Sequence, residues 1–224
     1  MYTLVFILLA YLVGSIPFSH LLTKWRTGLN IRNVGEGNVG SRNVWHVVGP
    51  AWGILAFLLD ALKGLVVFIA GGLLGISLVG TILAGVAALL GHQFSIFLHG
   101  QGGKGLATIF GFMVGLSPLS TLGGIAALGL AYLFLHDFNP SVIISALGVI
   151  FLPLFLPTVP LSQRLVVSLC ALSMALLAGV KKLLDRQHEA AVWASHPWEG
   201  RARPGFFNEK ESEQAPAPES GPQH

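Results

Sequence analysis

The sequence predicts an all-α, polytopic integral membrane protein of about seven transmembrane helices. Of its 224 residues, 53% are hydrophobic and only 10% are charged, and the mean hydropathy is +0.72. A helix needs about 20 mostly apolar residues to cross a bilayer, and several apolar runs of this kind follow one another along the chain. The composition therefore favours a polytopic membrane domain over a soluble globular core.

Glycine, proline or charged residues divide the apolar sequence into seven spans. The spans cover residues 3–23, 50–74, 78–98, 105–117, 119–135, 141–158 and 164–181. Ser117 and Pro118 interrupt residues 105–135, and we interpret this region as two short helices rather than one kinked helix. Six helices with a re-entrant segment form the alternative architecture.

The basic residues cluster after the first and after the last apolar run. They are Lys24, Arg26, Arg32 and Arg42 in the first cluster and Lys181, Lys182 and Arg186 in the second. The positive-inside rule assigns both clusters to the cytoplasm. Seven spans then put the N-terminus outside and the C-terminus inside, with residues 24–49, 99–104 and 136–140 cytoplasmic.

The chain divides into a membrane domain and a tail. Residues 1–198 form the predicted integral membrane domain, while residues 199–224 combine prolines and glutamates with almost no apolar periodicity, which is typical of a disordered cytoplasmic segment.

The single cysteine, Cys170, offers neither a disulfide framework nor a thiolate metal site. The histidines are scattered without a ligand spacing, so we expect no metal.

Two polar, glycine-rich loops interrupt the apolar sequence, at residues 35–49 and 91–105. Non-helical backbone between membrane helices usually lines a wet site, because unpaired N–H and C=O groups are costly in hydrocarbon. Glycines in the second loop are expected to free backbone N–H groups beside Lys104, and such a nest suits a phosphate. We expect the two loops to form one site.

A nucleotide-binding P-loop is the main rival interpretation of the second loop. That motif requires a glycine where this chain has Leu98, and a serine or threonine where it has Gly105. The Mg²⁺-binding hydroxyl is therefore missing.

Three further polar residues belong to the apolar spans. His92, at the end of its helix, positions a substrate, acts as a base or simply packs. Asp60 and Lys63 are predicted to form an ion pair on one helix face.

Four ordered blocks of the chain carry a resemblance to a known family. They are Gly14-Ser15-Ile16-Pro17-Phe18; Gly35-Glu36-Gly37-Asn38-Val39-Gly40 with Asn43; Asp60 with Lys63-Gly64; and Gly91-His92-Gln93-Phe94 through Gly102-Gly103-Lys104-Gly105 to Thr108. In these blocks the chain resembles the PlsY family of bacterial acyl-phosphate:glycerol-3-phosphate acyltransferases. The resemblance implies a multi-pass protein of the bacterial plasma (inner) membrane that makes lysophosphatidic acid for phospholipid synthesis.

The resemblance also implies a substrate set and a site. The substrates would be acyl phosphate and glycerol 3-phosphate, used beside membrane lipid and without a cofactor, a metal or a nucleic-acid partner. Lys104 and His92 are the expected catalytic residues. The expected phosphate-binding residues are Asn38, Arg42, Asn43, His46, Gly102, Gly103, Lys104 and Ser141, with Ser145 as the alternative to Ser141.

The first loop departs from the family pattern at three positions. Where the family usually has Ser, Thr and Arg, this chain has Glu36, Arg42 and His46, and we hypothesise that Arg42 partly replaces the lost cation. The His-x-x-Asn arrangement after the last helix is also missing. Two other functions remain as alternatives: a transporter or binding protein for a phosphorylated anionic solute, and a catalytically impaired paralogue.

Overall fold

The structure, a computed structural model, describes residues 2–157 and 159–195, so the predicted tail at residues 199–224 lies outside the described residues. The described residues fold into nine α-helices and three short 3₁₀-helices. The α-helices are α1 (Tyr2–Ser15), α2 (Phe18–Thr27), α3 (Ser41–Val47), α4 (Pro50–Leu73), α5 (Leu78–Gln93), α6 (Leu106–Leu116), α7 (Pro118–Leu135), α8 (Phe138–Phe151) and α9 (Leu161–Ser195). The 3₁₀-helices are Ile31–Asn33, Ile96–Leu98 and Leu152–Phe155.

Within the part of the chain that the structure describes, six helical stretches are long and apolar enough to cross a membrane. They are Tyr2–Thr27, Pro50–Leu73, Leu78–Leu98, Pro118–Leu135, Phe138–Phe155 and Leu161–Ser195. The remaining predicted span corresponds to α6, which has only 11 residues. At about 1.5 Å per residue α6 is roughly 16 Å long, about half the thickness of the hydrocarbon core. The predicted all-α, multi-helix membrane fold is confirmed, with one short helix among the seven spans.

The helix boundaries correct the sequence prediction in two places. The first span is broken at Ile16-Pro17 into α1 and α2, since a proline cannot continue the hydrogen-bond ladder. The last helix does not end at residue 181 but continues to Ser195. Good helix formers and a Lys181–Asp185 ion pair of 2.7 Å, spaced i,i+4, carry α9 past the apolar run. The predicted break between α6 and α7 at Ser117 is confirmed.

Close helix pairs build the bundle: α1 packs on α5, α4 on α6 and α7 on α8. A Cβ atom at Gly14 would overlap the backbone of Ala88, and one at Gly111 would overlap the backbone of Ala61. Small residues allow helix backbones in a membrane to approach closely, which compensates for the weak hydrophobic drive between them. Helix α9 packs against α5, α6 and α8 and so closes the bundle.

The polar segments meet at one end of the bundle. His188 of α9 contacts the Arg32 carbonyl at 3.1 Å, Arg42 of α3 reaches Asn139 of α8 at 3.5 Å, and Lys104 binds Glu189 of α9. The loops predicted to share one side of the membrane therefore lie together, next to the last turns of α9.

Candidate active site

The first glycine-rich loop is held together by one buried amide. The Asn43 side chain donates from Nδ2 to the carbonyls of Ile31 at 2.9 Å, Val34 at 3.0 Å and Asn38 at 3.0 Å. Its Oδ1 accepts from the Glu36 N–H at 2.8 Å. Asn43 is fully buried, so the amide gives the loop its shape and presents the neighbouring side chains.

The three residues that depart from the family pattern form one ionic cluster. Glu36 Oε1 lies 2.9 Å from Arg42 Nε and 2.9 Å from His46 Nδ1, and Asn38 Nδ2 donates to Glu36 Oε2 at 3.3 Å. Burial alone raises the pKa of the Glu36 carboxyl, but the hydrogen bond from His46 and the charge of Arg42 outweigh it, so the pKa lies below its ordinary value. Glu36 is therefore an ionised, buried carboxylate that fixes Arg42 and His46 around itself.

The second loop presents Lys104 but does not form the expected nest of free N–H groups. The N–H of Gly102 donates to the Gln93 carbonyl at 3.0 Å and that of Gly103 to the His92 carbonyl at 3.1 Å. The expectation that these two N–H groups are available to a phosphate is wrong, because the loop folds back on the end of α5. Glycine is required at Gly102 because a Cβ atom there would overlap the His92 carbonyl oxygen.

The donors that remain in this region belong to the start of α6. Gly105 precedes the helix with φ of +86°, a conformation that glycine adopts readily, and the cavity described below is lined by Gly105, Leu106 and Ala107. The first N–H groups of an α-helix have no intrahelical acceptor and carry a partial positive charge. The start of α6 therefore brings a helix N-terminus to the cavity wall, a few residues after Gly102 and Gly103.

Lys104 itself is paired. Its Nζ lies 2.7 Å from Glu189 Oε1 on α9, and Gln93 Nε2 donates to the Lys104 carbonyl at 3.0 Å. The carboxylate holds the ammonium at the cavity wall. The predicted positive charge of Lys104 thus lies at the cavity wall. Its acidic partner, Glu189, was not assigned by the sequence analysis.

A buried polar cluster lies deeper in the bundle, where the Asp60–Lys63 ion pair was predicted. Lys63 Nζ lies 2.9 Å from Asp60 Oδ1 and also donates to the carbonyls of Gly14 at 2.9 Å and Ile16 at 3.0 Å. Lys63 thus satisfies carbonyls freed by the break between α1 and α2. His92 Nδ1 lies 3.6 Å from Asp60 Oδ1, so Asp60 connects the break to His92.

A cavity of about 590 Å³ joins these groups. Four of the predicted site residues line it: Asn38, Arg42, His92 and Lys104. The other predicted residues lie in the surrounding shell or the wall behind it; they are Asn43, His46, Gly102, Gly103 and Ser141. The Ser141 hydroxyl is buried and donates to the Asp137 carbonyl at 2.6 Å.

The site prediction did not include seven polar residues that line the cavity: Glu36, Ser41, Asp60, Asn139, Lys182, Arg186 and Glu189. The last three are spaced i, i+4 and i+7 on α9, one face of a helix. That spacing was the available signal, and it was missed because the helix was predicted to end at residue 181.

Comparisons with known proteins agree with this architecture. The family model described as glycerol-3-phosphate acyltransferase matches residues 4–186. Glycerol-3-phosphate acyltransferase 5 of Dehalococcoides mccartyi is 41% identical over 135 residues, which cover 59% of this chain and 57% of the relative. The glycerol-3-phosphate acyltransferase of Geobacter metallireducens is 46% identical over 113 residues, covering 50% of this chain and 58% of the relative. The chain therefore spans less than two thirds of the length of these curated relatives.

A solved structure is similar over a larger share. The crystal structure of PlsY (YgiH), an integral membrane glycerol 3-phosphate acyltransferase in its glycerol 3-phosphate form, superposes with a TM-score of 0.67 at 30% identity, covering 83% of this chain and 94% of that one. Its lysophosphatidic acid form gives a TM-score of 0.66 at 29% identity, covering 83% and 93%. With its helical architecture, its two glycine-rich loops and a family match over residues 4–186, the chain belongs to the glycerol-3-phosphate acyltransferase family.

Proposed function

We propose that this protein transfers a fatty acyl group from acyl phosphate to the sn-1 hydroxyl of glycerol 3-phosphate. The products are lysophosphatidic acid and inorganic phosphate. Family membership supports the reaction class, and the similar PlsY structures are described as glycerol 3-phosphate and lysophosphatidic acid forms. For this chain, the substrates are a proposal drawn from those relatives and from the chemistry of its own cavity.

The observation that carries the proposal is the two-part lining of the cavity. Its polar end contains Asn38, Arg42 and Lys104 next to the start of α6, while apolar side chains such as Val142 of α8 and Ala175 of α9 line the rest. Cations and helix N–H groups suit phosphates, and the apolar part suits a hydrocarbon chain. The reaction brings together two phosphates and one acyl chain, which is the combination that this lining fits.

The chemistry needs no cofactor, because acyl phosphate is a mixed anhydride with a good leaving group. The sn-1 hydroxyl oxygen bonds to the carbonyl carbon, the bond from that carbon to the phosphate oxygen breaks, and its electron pair leaves with the phosphate. The hydroxyl proton passes to His92 or to a substrate phosphate oxygen. The protein contributes by orienting two anions and by neutralising the charge that develops on the carbonyl oxygen.

In the proposal, Lys104 and Arg42 bind the substrate phosphates and neutralise the charge that develops beside them. Both cations line the cavity, and each is fixed by a carboxylate, Glu189 at 2.7 Å and Glu36 at 2.9 Å. A fixed cation costs little reorganisation as charge develops during the reaction. Ser41 and His92 both line the cavity, but no hydrogen bond joins them and His92 Nδ1 faces Asp60 instead, so we propose direct transfer without an acyl-enzyme.

We also propose that the site faces the cytoplasm of a bacterial plasma membrane. The cations after the first and last apolar runs lie at the same end as the cavity, as the contact between Arg32 and His188 indicates, and basic segments of membrane proteins concentrate on the cytoplasmic side. The substrates of phospholipid synthesis would then reach the site from the cytoplasm and from the inner leaflet.

The test is an assay of purified protein in detergent with acyl phosphate and labelled glycerol 3-phosphate. We expect the wild type to form lysophosphatidic acid and inorganic phosphate in equal amounts. Lys24→Met should do the same, because the Lys24 side chain is exposed on α2 and is not part of the cavity lining. Lys104→Met should lose most of the activity. Absence of product from well-folded wild-type protein would reject the proposal, and uptake of glycerol 3-phosphate into proteoliposomes would then indicate the transporter.

A further inference from the structure

One carboxylate oxygen of the first loop has two basic partners. Glu36 Oε1 lies 2.9 Å from Arg42 Nε and 2.9 Å from His46 Nδ1. Arg42 and His46 are four residues apart on α3, so they lie on one helix face. The lowered pKa of the Glu36 carboxyl keeps it ionised, and an ionised carboxylate only accepts hydrogen bonds. The ring proton of neutral His46 therefore lies on Nδ1, and a second proton would bind at Nε2.

The net charge of this cluster depends on His46. While the ring is neutral, the single charges of Glu36 and Arg42 cancel. Once the ring is protonated, the same three residues carry one positive charge. Histidine is the side chain whose charge ordinarily changes between about pH 5 and pH 8, and 23% of the His46 side chain is exposed. Solvent can therefore supply the proton.

The other charges around this cluster are mostly positive. Lys104 of the second loop and Glu189 of α9 lie close enough to act on Glu36, but they pair with each other at 2.7 Å. Helix α3 packs on α2, α4 and the 3₁₀-helix Ile31–Asn33. These elements contribute the following charged or titratable residues: His20, Lys24, Arg26, Arg32, Asp60 and Lys63. An anion that enters the cavity is therefore what makes a further positive charge favourable here.

A phosphate at the polar end of the cavity competes with Glu36 for Arg42. The guanidinium lines the cavity, contacts Asn139 Oδ1 at 3.5 Å through Nη1 and lies 4.9 Å from the centroid of the Phe138 ring. Arginine binds phosphate through two parallel hydrogen bonds, so a phosphate weakens the contact between Arg42 and Glu36. A buried carboxylate that loses its cation is costly. His46 already lies at hydrogen-bond distance and can replace that cation.

We propose that His46 takes up a proton from solvent when a substrate phosphate binds Arg42, and that the imidazolium then neutralises Glu36 in place of the guanidinium. His46 is a positioning residue, since it is not among the residues that line the described cavity and acts through Glu36 on Arg42. The proton binds at Nε2 and returns to solvent when the phosphate product leaves. The proposal rests on the function proposed above and extends it by coupling phosphate binding to one proton.

The size of the coupling follows from the charge that His46 gains. A unit charge about 8 Å from a phosphate, at an effective dielectric constant of about 20, changes affinity roughly 30-fold per unit of phosphate charge. Screening by salt and by the solvent around the exposed part of the ring reduces this to about tenfold. Because linkage is reciprocal, a bound phosphate favours the protonated ring by the same factor.

The kinetic test is kcat/KM between about pH 5.5 and pH 8.5 for the wild type, His46→Gln and His46→Arg. Glutamine keeps a hydrogen-bond donor for Glu36 without a titrating ring, and arginine supplies a permanent charge. The wild type should match His46→Arg near pH 6 and fall about tenfold below it by pH 8.5. The ratio of His46→Gln to His46→Arg should stay constant. These ratios cancel the titration of the substrate phosphates, which all three proteins share.

Two controls separate proton coupling from a structural role. In a Glu36→Gln background the ratio between His46 and His46→Arg should no longer depend on pH, because the carboxylate that links the ring to Arg42 is gone. His99→Asn removes a histidine that is exposed and lies outside the cavity lining. Asparagine suits the φ of +52° at this position, so this variant should keep the wild-type profile. A ratio of wild type to His46→Arg that is constant across the pH range would overturn the proposal.

A spectroscopic measurement separates the proposal from the reaction itself. In protein with ¹⁵N-labelled histidine rings, the signals of His46 are those that His46→Arg lacks, so they are assigned even if His46→Gln folds poorly. At about pH 7.5 and constant ionic strength, inorganic phosphate should raise the protonated fraction of His46 in the wild type but not in Arg42→Met. An unchanged fraction in the wild type would overturn the proposal. An inactive wild type would reject the proposed function, while the response of His46 to phosphate still decides the proton coupling.

Discussion

Replacing Arg42 by alanine tests whether this residue serves as the phosphate-binding cation of the first loop. The change removes the 2.9 Å ion pair with Glu36 and the contact with Asn139, and with them one cation from the polar end of the cavity. A charge-assisted hydrogen bond to a substrate phosphate contributes about 1.5–3 kcal/mol, which corresponds to a loss of roughly 10- to 150-fold in kcat/KM.

A second effect adds to this loss. Without Arg42, the Glu36 carboxylate, only 8% exposed, keeps His46 at 2.9 Å as a partner but loses the permanent charge that lies nearest to it, 2.9 Å away. At about 7 Å from a substrate phosphate and an effective dielectric constant of about 20, a carboxylate repels each unit of negative charge by roughly 2.4 kcal/mol. We therefore expect Arg42→Ala to lower kcat/KM by at least about 100-fold.

The assay is the labelled glycerol 3-phosphate assay with wild type, Arg42→Ala, Glu36→Gln and the double variant. Glu36→Gln/Arg42→Ala should recover about tenfold over Arg42→Ala, because the uncompensated carboxylate is gone. The triple variant Glu36→Ser/Arg42→Thr/His46→Arg, which restores the family pattern, should be active. Arg42→Ala with wild-type kcat/KM would refute the reasoning, since the cation would then be dispensable.

Three further predictions concern the site and the bundle. Lys104→Met leaves Glu189 buried without its 2.7 Å partner and should cost about 3–5 kcal/mol of stability; Lys104→Met/Glu189→Gln should regain the thermal denaturation midpoint but not acyl transfer. The pKa of the Glu36 carboxyl is lowered from its ordinary value of 4.5, so the ionised form stabilises the folded protein at any pH above that value. This contribution is lost as the pH falls through the folded-state pKa. The difference in thermal denaturation midpoint between the wild type and Glu36→Gln should therefore shrink on acidification. Gly111→Leu should prevent close packing of α4 on α6 and lower the yield of folded protein in size-exclusion chromatography, whereas Gly129→Leu, with open space around its Cβ position, should not.

The sequence predicted the architecture because the membrane imposes simple rules. Apolar length identified the spans, and Pro118 marked the break between α6 and α7, which the structure confirms. The end of α9 could not be identified by apolar length, because the helix leaves the apolar run at Lys181 and continues on ion pairs and helix propensity to Ser195. Hydropathy detects contact with lipid, and the last turns of α9 contact protein loops instead.

The sequence identified the two loops that form the site, but it did not identify which backbone and side-chain atoms face the cavity. Glycine, amide and lysine content identified both loops, and the structure brings them to one cavity with Asn38, Arg42 and Lys104 on its wall. The assignment of free N–H groups to Gly102 and Gly103 was wrong because composition does not tell which carbonyls a loop folds back on. Residues such as Lys182 enter the site only through the packing of α9 on α8, a contact between distant parts of the chain.

The pairing of cations with carboxylates explains how this site tolerates its own charge in the absence of substrate. Burying an isolated cation is costly, and the cavity contains four cationic residues, Arg42, Lys104, Lys182 and Arg186, against three anionic ones, Glu36, Asp60 and Glu189. Glu36 and Glu189 each bind a cation that the proposed reaction requires at a phosphate. A bound phosphate therefore either shares a cation with a carboxylate or replaces that carboxylate as the cation's partner. The net gain in substrate affinity is smaller than it would be in a pocket of unpaired cations. Replacing Glu36 or Glu189 removes the carboxylate that a phosphate would otherwise displace. Comparing each double variant with its single variants therefore separates the effect on substrate binding from the effect on the stability of the fold.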